Sequence, residues 1–356
     1  MANRIDTFLE LVVKQGGSDL HLVSGNMPRV RMHGELVAIK YRELTPDETL
    51  ALISEIMSTG ARKAFAERSS VDFAYAISGL ARFRVNVFRH IAGIGAVLRV
   101  IPEVIRSFDE LKLPSVVRSF TRQKKGLVLA TGPTGSGKST TLAALIDQIN
   151  SLTKGHIITI EDPIEFAHSR KLCLISQREV GFHTRSFAAA LRSALREDPD
   201  AILVGEMRDL ETISLALTAA ETGILVFGTL HTNGAAATVD RIINVFPAIE
   251  QARVRTMLST SLLGVVSQQL VRRVDGRGRL AAIEVLVSNP AIANMIREGK
   301  TDQIPNAIQA GGLQGMQSLD PALRRMLDAK LITAKDAYLK ANVKRDFEQD
   351  AAREAA

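Results

Sequence analysis

The sequence of 356 residues predicts an α/β protein in which a mainly parallel sheet is preceded by a smaller α+β domain. The length suits two or three domains. From Gly126 onward, short runs that are apolar throughout alternate with longer helical segments, which is typical of parallel strands buried on both faces. In the first hundred residues, apolar and polar residues instead alternate along short segments bounded by turn residues, as in strands with one solvent-facing side.

Local patterns predict the elements of the first domain. Residues 45–59 form a helix in this prediction, because Thr45 is a capping residue, Pro46 suits the first helical position and Glu48 completes a capping box. The predicted strands are 19–23, 30–32, 36–39, 71–77, 82–88 and 96–101. A connecting stretch follows Pro102. We therefore expect one domain over residues 1–105, a linker over 106–120 and a second domain over 121–356.

The second domain is predicted to be a series of buried strands separated by helices. The apolar runs that predict strands are 127–130, 157–160, 173–175, 201–204, 224–227 and, after a mostly helical stretch that begins near Pro247, 281–286. The charged and alanine-rich segment 344–356 indicates a frayed helix or a disordered tail.

Composition excludes several classes of protein. The net charge of +7 is diluted over a large chain, aromatic residues make up 4% and tryptophan is absent, so nothing indicates a nucleic-acid partner. The single cysteine, Cys173, excludes a tetracysteine zinc site and fits a buried residue in a reducing compartment. The chain begins without a secretory signal pattern, and its most apolar long window, 257–270, contains serines and glutamines. We expect a soluble protein without membrane insertion.

A phosphate-binding loop is the strongest motif. The segment from Gly132 to Ser139 reads GPTGSGKS, follows an apolar strand and precedes a helix-compatible segment that starts near Thr140. In this context backbone N–H groups and a helix N-terminus face phosphate oxygens, the lysine meets the β and γ phosphates, and the serine ligates Mg²⁺. The predicted nucleotide site consists of Gly132, Pro133, Thr134, Gly135, Ser136, Gly137, Lys138, Ser139 and Thr140.

Polar residues at the ends of three further strands are candidates for hydrolysis. Glu161, Asp162 and Glu165 follow one strand, and any of them could orient or deprotonate the attacking water. Glu206 follows Gly205 at the end of the next strand, where it can stand in the outer shell of an Mg²⁺ held by Ser139. His231 follows a third strand and could sense the γ-phosphate.

The candidate residues belong to longer motifs, which are GPTGSGKS at 132–139, TIEDPIEF at 159–166, QREVG at 177–181, VGEMRD at 204–209 and TLHT at 229–232. Three further motifs are GGSDLHL at 16–22, AIANMIREGK at 291–300 and GMQSLD at 315–320. In order and spacing, the first set resembles the secretion ATPases of type II secretion and type IV pilus systems, and the second set resembles the pilus retraction ATPases of twitching motility among them. The resemblance covers nearly the whole chain.

The resemblance implies a homohexameric ring whose subunits join an amino-terminal PAS-like domain to a RecA-like motor domain, with ATP bound between neighbouring domains. It implies that Glu165 is the catalytic base, Glu206 an atypical Walker B carboxylate and His231 the remaining member of a histidine motif. Arg84 and Arg99 on the amino-terminal strands would complete the site, since a guanidinium meets phosphate through two hydrogen bonds. Solvated strand faces are the alternative explanation for these arginines.

Two positions depart from the family pattern. Ile224 stands where a histidine is usual, and it cannot donate a hydrogen bond to a nucleotide. Ala293 stands where the late helix usually carries arginine, although Ile292, Met295 and Ile296 still predict a packing stripe and hence a helix. Both changes leave the phosphate chemistry intact.

The expected function is an Mg²⁺-dependent ATPase motor that drives type IV pilus retraction. It implies a cytoplasmic protein at the inner membrane, with a pilus platform protein and possibly a second retraction ATPase as partners. One alternative is a non-hydrolysing accessory paralogue, which the changes at Ile224 and Ala293 keep open. The other is an extension or secretion ATPase, which the chain length and the lack of a zinc-binding tetracysteine insert disfavour.

Overall fold

The computed structural model describes residues 3–32, 35–101, 104–276 and 278–355. Two compact units divide the chain, Met1–Val104 and Ile105–Ala356. Pro102, after which we expected the connecting stretch to begin, lies outside the described residues.

The described residues of the first unit form three helices and one antiparallel six-stranded sheet. Its helices are α1 (Arg4–Lys14), α2 (Pro46–Ile56) and α3 (Thr59–Arg68). Its strands are β1 (Asp19–Val23), β2 (Arg29–Met32), β3 (Glu35–Ala38), β4 (Ser70–Ile77), β5 (Ala81–His90) and β6 (Gly93–Ile101), in the spatial order β3-β2-β1-β6-β5-β4. The six strands predicted here are confirmed.

Local chemistry explains where α2 begins. The Thr45 hydroxyl accepts a hydrogen bond from the Glu48 N–H at 3.3 Å, and the Glu48 carboxylate accepts one from the Thr45 N–H at 3.0 Å, which is the predicted capping box. Helices α1 and α3 were not predicted. The spacing of Ile5, Leu9 and Val12 in α1 is helical, and these side chains are fully buried in the core of the unit.

The second unit contains the remaining elements. Its described helices are α4 (Phe108–Leu111), α5 (Ser115–Ser119), α6 (Lys138–Leu152), α7 (Phe187–Ala194), α8 (Leu210–Glu221), α9 (Ala235–Asn244), α10 (Ala248–Ser261), α11 (Pro290–Glu298), α12 (Ile304–Ala310), α13 (Leu319–Asp328), α14 (Ala334–Lys340) and α15 (Arg345–Ala355). Its strands are β7 (Gly126–Thr131), β8 (His156–Glu161), β9 (Leu174–Glu179), β10 (Ala201–Val204), β11 (Leu225–Leu230), β12 (Leu262–Arg272) and β13 (Arg279–Val287).

The strands of the second unit form a sheet in the order β13-β12-β7-β11-β10-β8-β9. Every neighbouring pair is parallel except β12 and β13. The residues of β7, β10 and β11 are buried along their whole length, as expected when helices cover both faces. The predicted fold class, a mainly parallel α/β domain preceded by a smaller α+β domain, is confirmed. None of the helices in the described parts of the chain is both long and apolar enough to cross a membrane.

Strand β12 corrects the expectation that the chain is mostly helical between Pro247 and residue 281. The segment carries Ser267 and Gln268, which obscure a strand pattern, yet it pairs with β7 on one side and β13 on the other. The Ser267 hydroxyl accepts a hydrogen bond from the Gly234 N–H at 2.9 Å, which satisfies a polar group inside the fold. Tertiary pairing therefore decides the structure of this segment.

The carboxyl-terminal segment is also more ordered than expected. Helix α15 packs through Phe347, which is 1% exposed, and the Arg324 guanidinium lies 4.5 Å from the centre of its ring. One aromatic residue among charged neighbours is a weak sequence signal. Of the two predicted alternatives, the disordered tail was wrong for the described residues up to 355, which form a helix.

Residues 106–120, which we expected to form a linker, contain α4 and α5. Their side chains Phe108, Val117 and Phe120 are buried in the same core as Val128 of β7. This segment is thus packed against the sheet of the second unit. Cys173 is buried as predicted, and its thiol is free.

Candidate functional site

The phosphate loop connects the end of β7 to the start of α6. Gly132 has a φ of +133°, and a Cβ at this position would lie 2.2 Å from the backbone oxygen of Gln268 on β12. Only glycine fits there. Gly137, at +93°, immediately precedes α6, so the helix N-terminus opens toward the loop. The local sequence therefore builds an anion-binding turn.

A cavity of about 460 Å³ lies against this loop, and its described lining residues all belong to the second unit. They include members of the loop and the residues at the ends of β8, β10 and β11. The polar and aromatic lining residues are Thr134, Ser136, Lys138, Ser139, Thr140, Glu161, Asp162, Glu165, Phe166, His168, Phe187, Glu206, Arg208, Thr229, His231 and Arg279. The structure thus brings Glu165, Glu206 and His231 together with the phosphate loop.

Lys138 is held within the loop. Its ammonium donates hydrogen bonds to the backbone oxygens of Gly132 at 2.8 Å and Pro133 at 3.1 Å. Burial lowers the pKa of Lys138, while the nearby charges of Glu206 and Glu165 oppose that shift. The ammonium is therefore partly desolvated and close to carboxylates, a setting in which a bound phosphate adds favourable charge.

Glu206 is the centre of a small polar cluster. Its Oε1 lies 3.2 Å from His231 Nε2 and also pairs with the Arg208 guanidinium. Hydrogen bonds between β11 and the segment that follows β10 fix the positions of these residues. The Thr229 hydroxyl donates to the Gly205 oxygen, and the Met207 N–H donates to the Thr229 oxygen at 3.0 Å. The parallel strands therefore set the spacing between Glu206 and His231.

Glu161, at the end of β8, and Glu165, in the loop that follows, lie in different environments. Burial raises the pKa of the Glu161 carboxyl to about 7, although hydrogen bonds from the Thr159 hydroxyl and the Gln177 amide favour its ionised form. Glu165 is exposed on the cavity wall. Glu165 thus has access to water, while Glu161 is held by its neighbours.

Arg84 and Arg99 lie directly opposite one another on β5 and β6 of the first unit. The Arg99 guanidinium bonds to Asp19, whose side chain is largely buried, at 2.8 Å, and Arg84 lies 3.8 Å from Asp72. Both guanidinium groups remain substantially exposed. The two guanidinium groups thus lie on neighbouring strands of the antiparallel sheet, each beside a carboxylate.

Sequence reasoning missed several residues of the cavity. Arg208 belongs to the VGEMRD motif at 204–209, and its position two residues after Glu206 is the sequence feature that could have identified it. Arg279 reaches the cavity from β13, and His168 from the loop after β8. Burial lowers the pKa of His168 to about 4, so this imidazole is neutral. Nothing in the sequence near Arg279 indicates a site, since its position depends on sheet order.

The residues present fit a magnesium ion that takes most of its ligands from phosphate and water. Ser139 and Glu206 both line the cavity. In the described parts of the chain there is no group of three or more His, Cys, Asp or Glu residues arranged to hold a metal by themselves. Mg²⁺ commonly binds with one or two protein ligands, several waters and substrate phosphates.

The two departures from the family pattern lie outside the polar cluster. Ile224 precedes β11, where its N–H donates to the Ala219 oxygen and its side chain packs against the core. Ala293 lies in α11, and the predicted packing of Ile292, Met295 and Ile296 is confirmed. Both positions are therefore compatible with the local fold.

Sequence comparison matches residues 1–294 to the family described as type II/IV secretion system protein. The type IV pilus retractation ATPase PilT of Pseudomonas aeruginosa is 52% identical over 343 residues, which cover 96% of this chain and 99% of the relative. The twitching motility protein of Neisseria gonorrhoeae is 52% identical over 314 residues, which cover 88% of this chain and 84% of the relative.

Structural comparison agrees with the sequence match. A crystal structure of the pilus retraction motor PilT with bound ADP has a TM-score of 0.91 and 44% identity, and it covers 98% of this chain and 100% of that chain. These similarities confirm the resemblance that the motifs predicted. The chain belongs to the type II/IV secretion system protein family.

Proposed function

We propose that this protein is an ATPase motor that powers type IV pilus retraction. The observation that carries the proposal is the meeting of Lys138, Glu165, Glu206 and His231 on one cavity beside the phosphate loop, in a chain similar to a pilus retraction motor solved with ADP. The names of the relatives support retraction over extension.

Hydrolysis in this cavity follows from the residues on its wall. The loop N–H groups and Lys138 bind the phosphates, and Glu165 accepts the proton of a water whose oxygen attacks the γ-phosphorus. The bond from that phosphorus to the bridging oxygen breaks, leaving ADP and inorganic phosphate. Ser139, with Glu206 beyond it, would hold an Mg²⁺ ion, which would supply positive charge to neutralise the phosphates. His231 and Arg208 hold the Glu206 carboxylate in place.

The proposed assembly is a homohexameric ring. In this proposal residues 1–105 form a PAS-like domain and 121–356 a RecA-like motor domain, and 106–120 is a linker that packs against the sheet of the second unit. Arg84 and Arg99 stabilise phosphate charge in the site of a neighbouring subunit. The ring acts in the cytoplasm at the inner membrane on a pilus platform protein, and a second retraction ATPase is a further candidate partner.

Steady-state ATP hydrolysis by the purified protein, with and without Mg²⁺, tests the chemistry. Glu165→Gln should lower kcat by about 10²-fold or more, because it removes the proton acceptor but keeps the shape of the side chain. Asp162→Asn is the matched control, since Asp162 lines the same cavity from the same loop. It should retain most of the turnover.

Two outcomes would contradict parts of the proposal. A wild-type protein that binds ATP and magnesium but shows no turnover would support the accessory, non-hydrolysing alternative that Ile224 and Ala293 keep open. Full turnover of Glu165→Gln would exclude Glu165 as the base. In cells, deletion of the gene should give more surface pili and less twitching, whereas loss of pili would indicate extension.

A further inference from the structure

We propose that Gln177 is a positioning residue for hydrolysis, which holds the loop carrying Glu165 in register with the phosphate site. This inference rests on the proposed ATPase function. It concerns residues 161–168, which run from the last residue of β8 into the segment that leads to β9.

The side-chain amide of Gln177 makes three hydrogen bonds to this loop. Its Oε1 accepts from the His168 N–H at 2.8 Å, and its Nε2 donates to the Phe166 oxygen at 2.8 Å and to Glu161 Oε1 at 3.3 Å. The two ends of the loop, at Glu161 and His168, are therefore tied to one side chain.

Glu179 makes a second connection from the same face of β9, because side chains two residues apart in a strand point the same way. Its Oε2 accepts a hydrogen bond from the Ile164 N–H at 3.1 Å, and the residue is 7% exposed. The residues before and after Glu165, Ile164 and Phe166, are both buried. The backbone on each side of Glu165 is thus held in place. It sets the position from which the exposed Glu165 side chain extends.

The chemistry of the site requires an amide at position 177. A carboxylate could accept from the His168 N–H but could not donate to Phe166 or Glu161, and its charge would repel Glu161. An apolar side chain would leave the loop groups without these partners. Glutamine can accept and donate at the same time, which matches all three contacts.

The described residues that line the cavity do not include Gln177, so its effect on hydrolysis passes through the loop. A general base must lie within hydrogen-bond reach of the water that it deprotonates. A shift of about 1 Å in such a group can cost about 10²-fold in rate. Nucleotide affinity should be far less sensitive, because the phosphates bind to the loop before α6.

The test compares Gln177→Met and Gln177→Glu with Ser176→Ala. Ser176 lies on the same strand but bonds to His156 Nε2 at 2.9 Å, so its variant removes one side-chain hydrogen bond without touching the loop. We expect both Gln177 variants to lower kcat by about 10- to 100-fold while the dissociation constant of a fluorescent ADP analogue changes by less than about 2-fold. Ser176→Ala should match wild type in both.

The pH profile separates positioning from general weakening of the fold. Gln177→Met removes a donor that favours the ionised Glu161, so the titration profile of the Glu161 carboxyl, followed by NMR, should move to higher pH. Ser176→Ala should leave the profile unchanged. If Gln177→Met and Ser176→Ala have equal kcat values and equal profiles, or if only nucleotide affinity falls, the inference is wrong.

Hydrogen exchange gives a readout that does not depend on turnover. Amide exchange across residues 161–168 should be faster in both Gln177 variants. Gln177→Met removes the partner of the His168 N–H, and Gln177→Glu removes the donor to Phe166 and Glu161. Exchange should be unchanged in Ser176→Ala. Unchanged exchange in the Gln177 variants would overturn the inference even if wild type proves inactive. If the wild-type protein shows no turnover but exchange is faster in the Gln177 variants, the proposed ATPase function is contradicted, whereas the role of Gln177 in holding the loop is not.

Discussion

Individual residues around the phosphate loop differ in charge behaviour because they differ in burial. Lys138 and Glu161 both lose solvent, and each then depends on specific neighbours for its ionised form. Glu165 keeps solvent access at the cavity wall. The site therefore combines partly desolvated charged groups with accessible carboxylates, of which Glu165 is the proposed proton acceptor.

Glu161 gives a pH-dependent prediction. Its pKa is raised to about 7 in the folded protein, so the folded state binds this proton more tightly than the unfolded chain does. The resulting stability is present at pH values below the unfolded carboxyl pKa and is lost as the pH rises through about 7. The loss is on the order of 2 to 3 kcal/mol by pH 8.5.

Glu161→Gln should remove that loss, because the amide does not ionise. Thermal denaturation at pH 5.5 and pH 8.5 measures the effect, and the variant should gain stability relative to wild type at the higher pH. The same difference between the two proteins at both pH values would show that Glu161 does not titrate in this range.

Single elements show how a few long-range contacts outweigh weak local patterns. Helix α15 is charged along most of its length, yet Phe347 enters a small core with Leu319 and Leu323 of α13. The Arg324 side chain, also from α13, stacks on the Phe347 ring and pairs with Asp350. The helix is therefore attached at two points in its first two turns.

Phe347→Ala should destabilise the protein by about 3 to 5 kcal/mol, because it leaves a cavity in a packed site. Glu348→Ala, on the same helix but exposed, is the matched control and should change stability by less than about 0.5 kcal/mol. Chemical denaturation measures both. Equal midpoints for the two variants would mean that α15 contributes no packing energy. Nucleotide affinity should stay at the wild-type value, since the cavity residues lie on other elements.

At the scale of the whole molecule, the proposed ring predicts that two subunits share each active site. Arg84→Ala combined with Arg99→Ala should lower kcat at least about 10-fold, as loss of phosphate-stabilising charge does. Arg82→Ala on the same strand is the control. Subunits with the double-arginine change can be mixed in equal amounts with Glu165→Gln subunits. If the subunits mix at random in the ring, about a quarter of the sites should combine an intact Glu165 with intact arginines from the neighbouring subunit.

Recovery of ATP turnover in the mixture, relative to either variant alone, checks this prediction. Two variants that remain equally inactive after mixing would indicate that the arginines serve the site of their own subunit. The experiment requires that size-exclusion chromatography shows subunit exchange. An unchanged kcat in the double-arginine variant would remove both residues from the site.

The sequence by itself determined the features that depend on neighbouring residues along the chain. The phosphate loop, the capping box at Thr45 and the buried runs of the parallel sheet all have local causes: glycine conformations, side-chain to backbone hydrogen bonds and hydrophobic patterns. The carboxylates after β8 and β10 were found for the same reason, since parallel strands end at one edge of the sheet.

Only the tertiary structure decided which distant residues meet. Strand β12, the place of Arg279 and the three bonds of Gln177 depend on the order of strands in the sheet, which residue spacing does not specify. Ser267 and Gln268 interrupt the apolar pattern expected of a buried strand. In the structure, the backbone of β12 pairs with β7 and β13. Local chemistry thus sets the phosphate loop, whereas long-range pairing sets the residues that surround it, because their contacts form only when the sheet has assembled.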